Sequence, residues 1–149
     1  MGMMKRSISI GFLAFACAAT TAYAGDPEVV AMHATFITKT NTKDQDPHLD
    51  IKVYDKKNAL VAENTGIAGE WGANSINSIS LDLKKYTFKQ SDLSSGKVQL
   101  GIHPDGKDEW EFGYNVSITY SDNSVVWKRW NGKVLTHDKP TTSDSLAGE

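Results

Sequence analysis

The chain has 149 residues, with 16 Lys and Arg against 18 Asp and Glu and a formal net charge of −2. Two of the basic residues, Lys5 and Arg6, fall in a leader-like N-terminal stretch, so the remainder is more acidic still and a poor match for a nucleic-acid backbone, where basic side chains supply most of the affinity. A hydrophobic share of 40% excludes a wholly disordered chain and suffices for one domain with its own core.

Residues 1–24 read as a secretory signal peptide. Lys5 and Arg6 form the positive end, Ile8 to Ala19 an apolar stretch short for a bilayer span, and Ala22-Tyr23-Ala24 an A-x-A cleavage site. The expectation is an exported protein, periplasmic or extracellular, beginning at Gly25 after cleavage at Ala24. Cys17 lies inside this leader and no other cysteine follows, which removes disulfides, zinc-thiolate sites and thiol nucleophiles from the rest. No later segment approaches transmembrane length.

From Gly25 onward, period-two alternation dominates. Residues 29–38 place Met32, Ala34 and Phe36 on one face, and 48–55 place Leu49, Ile51 and Val53 together. A short run covers 59–63, and 76–84 set Ile79, Leu81 and Leu83 against Ser78, Ser80 and Asp82. Residues 86–95 hold at most a turn of helix that Gly96 would end, and 97–103 alternate Val98, Leu100 and Ile102 with polar or small neighbours. The clearest strand is 110–120, where Trp110, Phe112, Tyr114, Val116, Ile118 and Tyr120 share one face. Strands 124–130 and 133–137 flank Asn131-Gly132, a strong two-residue hairpin signal because both turn positions need positive φ. About eight short strands with little helix predict a single antiparallel β-sandwich over residues 25–138, C2-like, PLAT-like or a jelly roll. The polar stretch 139–149 is predicted to be a disordered tail.

If successive strands alternate in direction, connections one, three, five and seven share one end. These are Asn41–Pro47, Gly66–Ser75, Pro104–Glu109 and Asn131-Gly132, and they carry most of the distinctive chemistry. Calcium takes six to eight oxygen ligands from carboxylates, carbonyls and water. Asp44, Asp46, Asp105 and Asp108 are the candidate ligands, with Glu70, Glu109 and Asp50 further out. Carboxylates gathered together repel one another unless a cation neutralises them, whereas acids in turns can equally remain solvated. The D-x-D stretch lacks the following Gly and distal Glu of an EF-hand.

The stretch Lys43-Asp44-Gln45-Asp46-Pro47-His48, with the later His103-Pro104-Asp105-Gly106-Lys107-Asp108-Glu109-Trp110-Glu111-Phe112, resembles a group of small secreted β-sandwich proteins. Those pair a D-K-D-x-D-T loop with a P-x-G-x-D-x-W-x-F loop and a strand ending S-D-G-S. Here Ser121-Asp122-Asn123-Ser124 stands in the last position, and Pro47 replaces the usual Thr. More distantly the layout is similar to C2 and PLAT sandwiches. The resemblance implies calcium held between loops at one end and a protein, glycan or lipid surface as partner.

Among the aromatics, Trp110 reads as core, and Trp127 and Trp130, three apart on a strand, point to opposite faces. Trp71 and Trp130 are the candidate partner-contacting residues, unless they simply fill sheet faces. A metal-free carbohydrate-binding module with an exposed Trp is the first alternative function. A small secreted hydrolase using His103 with a nearby acid is the second, although no nucleophile elbow, zinc-binding helix or phosphate loop is present.

Overall fold

The computed structural model describes residues 25–40, 43, 48–84, 87–103 and 109–147. Eight strands occupy them: β1 (Val29–Thr38), β2 (His48–Tyr54), β3 (Leu60–Ile67), β4 (Ile76–Leu83), β5 (Lys97–His103), β6 (Glu109–Tyr120), β7 (Val125–Thr136) and β8 (Thr141–Ser145). One short helix, α1 (Gln90–Leu93), precedes β5. The strand order is β7-β6-β1-β4-β3-β2-β5-β8, with every pairing antiparallel.

The sheet folds over at its weakest join. Among the described residues, β3 and β4 pair in register through Ala62–Leu83 and Glu63–Asp82, with the Lys84 amide donating to the Val61 carbonyl beside them, which separates a β7-β6-β1-β4 half from a β3-β2-β5-β8 half. The predicted alternation explains what lies between the halves. Met32, Ala34 and Phe36 of β1 and the even-numbered residues of β6 are buried from one side, and Leu49, Ile51, Val53, Val98 and Leu100 from the other. Fully burying a side chain of this size contributes about 1.5–3 kcal/mol each, set against the entropy lost on ordering the chain.

Two predictions are corrected at the C-terminal end. Asn131-Gly132 is not a hairpin turn, because β7 runs unbroken from Val125 to Thr136 beside β6. Phe112 pairs with Lys133 and Tyr114 with Trp130, so Asn131 and Gly132 together oppose Gly113. This is a β-bulge, with Gly132 supplying the positive φ of 62°. The local requirement for a left-handed residue is the same in a bulge as in a turn, so the dipeptide cannot distinguish them. The stretch 139–149, predicted to be a tail, instead places Thr141–Ser145 as β8 on the edge of β5, so the domain extends beyond residue 138.

β8 also closes the open side of the sandwich. Asp144 accepts a hydrogen bond from the Tyr114 hydroxyl at 2.8 Å and forms an ion pair with Lys133 of β7. The two outermost strands of the order are thereby joined through side chains. Leu146, just past β8, is buried beside Gly96 at the end of α1.

Candidate functional site

Strand direction alternates from β1 to β8 among the described residues, so connections 39–47, 68–75, 104–108 and 137–140 leave or enter strands at one end of the sandwich. The first three match the sequence expectation. The seventh is 137–140 in place of Asn131-Gly132, and Trp130 therefore sits within β7, not at a hairpin tip across from Lys133.

Asp44, Asp46, Asp105 and Asp108 lie outside the described residues. Their anchors are described. His48, which follows the 44–47 stretch, is the register partner of His103, which precedes 104–108. On the other half, Thr38 pairs with Phe112, and the Lys39 amide donates to the Glu111 carbonyl at 2.9 Å. Both acidic stretches are thus bracketed by neighbouring strands.

The first and third connections are tied directly. The Trp71 amide donates to the Lys43 carbonyl at 2.8 Å, and the Lys43 amide returns a bond to the Trp71 carbonyl at 3.1 Å. The Lys43 side chain is buried, its ammonium donating to the Gly69 carbonyl at 2.6 Å and lying 5.3 Å from the Trp71 ring centroid. A cation desolvated over an indole gains about 2 kcal/mol from the ring's quadrupole.

Trp71 itself is only 8% exposed, with ring centroids 5.4 Å from Phe36 and 5.5 Å from Trp110. Of the two readings of Trp71, its burial fits the structural one: Phe36, Trp110 and Lys43 occupy its surroundings, and the residue braces the loop end. Trp130 is half-buried and stacked on Tyr114 at 4.7 Å. The aromatic ring the sequence left unassigned is Trp127, which is 63% exposed on the opposite face of β7.

The outlying acids separate. Asp50 accepts from the His103 ring at 3.0 Å and from the Gly66 amide at 2.8 Å, on the outer face of the β2–β5 pair. Partial burial pushes its carboxyl up, but the His103 and Gly66 hydrogen bonds and the charges of His103 and Lys52 outweigh that and hold it below the ordinary carboxylate range. His103 thus has its acid partner on the neighbouring strand. Glu70 and Glu109 are exposed at the loop end. Among the described residues, no three His, Cys, Asp or Glu side chains converge, and no helix is long and apolar enough to cross a membrane.

No family model matches this chain, and no curated protein matches it. Among solved structures the chain is similar to the alpha toxin from Clostridium absonum, at 17% identity and a TM-score of 0.46. The likeness covers 80% of this chain and 34% of the toxin, so the chain spans about a third of that protein's length.

Proposed function

We propose that this chain is an exported, non-catalytic binding module that takes calcium at its loop end. The observation that carries the reading is the bracketing of the two acidic stretches, 44–47 and 104–108, by the His48–His103 and Thr38–Phe112 register pairs. Antiparallel neighbours stand about 5 Å apart, so segments that share both flanks start from a common place. Asp44, Asp46, Asp105 and Asp108 are the ligands on this reading. Carboxylate oxygens suit a hard cation that accepts many oxygen donors and tolerates irregular geometry.

The chain's own residues supply the frame. The Lys43–Trp71 bridge ties the first loop to the third, and Trp71 locks both onto Phe36 and Trp110. Bound calcium would supply the charge that lets the four carboxylates share one place. The neutralised end then meets a partner surface. Calorimetric titration of calcium into the protein tests this, with saturable heat expected. Asp44→Ala plus Asp46→Ala is expected to abolish that heat, and a double variant titrating like the parent would remove the assignment.

A further inference from the structure

The outer face of the β7-β6-β1-β4 half has a composition that packing does not require. Register aligns Trp127, Ser117, His33 and Ser80 in one row across the four strands. Arg129, Asn115, Thr35 and Ser78 form the next row, and Gly113, Ile37 and Ile76 the one after. Along β6 this face carries only Gly113, Asn115 and Ser117 at its middle, flanked by larger side chains of β7 and β1. The result is a strip of short side chains that its larger neighbours cover. Asn115 and Ser117 are 8% and 6% exposed although they point away from the core.

Two features distinguish this strip and its edge. Trp127 leaves 63% of its surface in solvent at one wall, where burial against the sheet would have been favourable. Beside it, the Asn115 Oδ1 is buried with no hydrogen-bond partner among the described residues, a rare condition for an acceptor in a native structure. The opposite wall is already ordered. Thr35 and Ser78 hydroxyls bond at 2.9 Å, and the Ser80 hydroxyl bonds the His33 Nδ1 at 3.1 Å.

The chemistry selects one class of occupant. An unpartnered acceptor calls for a hydroxyl or amide donor and disfavours carboxylate or phosphate oxygens. An exposed indole presents a flat apolar face, to which the C–H face of a pyranose ring is complementary. Four strands at about 4.8 Å spacing give a face roughly 15 Å wide, long enough for several linked sugar rings. We propose that this sheet face binds a neutral polysaccharide, with one pyranose stacked on Trp127 and, once the covering side chains swing away, a sugar hydroxyl donating to the Asn115 Oδ1. Ser117, Thr35 and His33 line the path of the chain. Reaching the Asn115 oxygen requires the surrounding side chains, including its register partner Arg129, to move aside.

This site lies on the sheet face, so it does not depend on calcium at the loop end. The test is affinity retardation of the full chain, in EGTA, on cellulose, chitin, amylose and mannan, followed by titration with oligosaccharides of the retarding polymer. Retention on at least one polymer is expected. Trp127→Ala should lower the association constant at least tenfold with an unchanged unfolding midpoint. Asn115→Leu should also weaken binding while leaving the midpoint equal or higher, since it removes the unpartnered acceptor. Failure to bind all four polymers would overturn the proposal, as would a Trp127→Ala protein that binds like the parent.

Discussion

Lys43 and Trp71 exchange both backbone hydrogen bonds across the loop end, at 3.1 and 2.8 Å, while the Lys43 ammonium sits against the Trp71 ring. One indole therefore joins two loops to the aromatic core. Trp71→Ala is expected to destabilise the protein by about 3–5 kcal/mol, the usual cost of emptying a buried aromatic site. Guanidinium denaturation measures it, and a loss below about 1 kcal/mol would show that the ring is not a brace.

Asp144 is the side-chain clasp between β8 and the β6–β7 pair, and its side chain is only 10% exposed. Asp144→Ala leaves Lys133 and the Tyr114 hydroxyl without their common acceptor, at an expected cost of about 2–3 kcal/mol. Asp144→Asn keeps an acceptor for Tyr114 but loses the ion pair, and should fall between that variant and the parent in the same denaturation experiment. Hydrogen exchange is expected to increase most along β8, the strand that Asp144 clasps.

Tyr114 supplies a pH dependence. Burial, and then the hydrogen bond and charge of Asp144, push its phenol well above its ordinary value of 10.0. The folded protein keeps this proton while the unfolded chain releases it near pH 10. The contribution to stability is complete below about pH 10 and is lost as pH rises from there toward the folded value. Stability measured from pH 9 to pH 11 should therefore fall more steeply in the parent than in Tyr114→Phe. Equal slopes would contradict the buried hydrogen bond.

Gly96 ends α1 where the chain enters β5, and a Cβ there would lie 2.3 Å from the Tyr54 carbonyl oxygen and 3.1 Å from Leu146 Cδ1. Gly96→Ala must move backbone, and is expected to cost about 1–3 kcal/mol. Gly101→Ala in the neighbouring strand is the control. Its Cβ would meet only Thr141 Cγ2 at 3.7 Å, so its effect should stay within about 0.5 kcal/mol. Comparable losses for both would refute the close approach at Gly96.

The fold was legible where side chains alternate strongly. β6 shows this best, since Trp110, Phe112, Tyr114, Val116, Ile118 and Tyr120 all face the core as the pattern predicts, although Gly113, Asn115 and Ser117 between them are covered too. β8 was not legible, because Thr141-Thr142-Ser143-Asp144-Ser145 has no apolar alternation; it is held by backbone bonds to β5 and by Asp144. Asn131-Gly132 misled because positive φ serves a bulge as well as a turn. At the candidate site, parity of strand direction placed the first, third and fifth connections correctly. The two readings of Trp71 stayed open in the sequence because nothing in a loop sequence reveals that Phe36 and Trp110 lie against it. Asn115 carried no signal at all, since its side chain is covered only once β7 and β1 flank β6.

The central claim is that calcium binds the folded loop end through Asp44, Asp46, Asp105 and Asp108. Thermal unfolding in EGTA, then in millimolar calcium or magnesium, tests it most directly, because a ligand that binds only the folded state raises the midpoint once it exceeds its dissociation constant. The account predicts a calcium-specific rise that Asp44→Ala plus Asp46→Ala removes. An unchanged midpoint in calcium would contradict it.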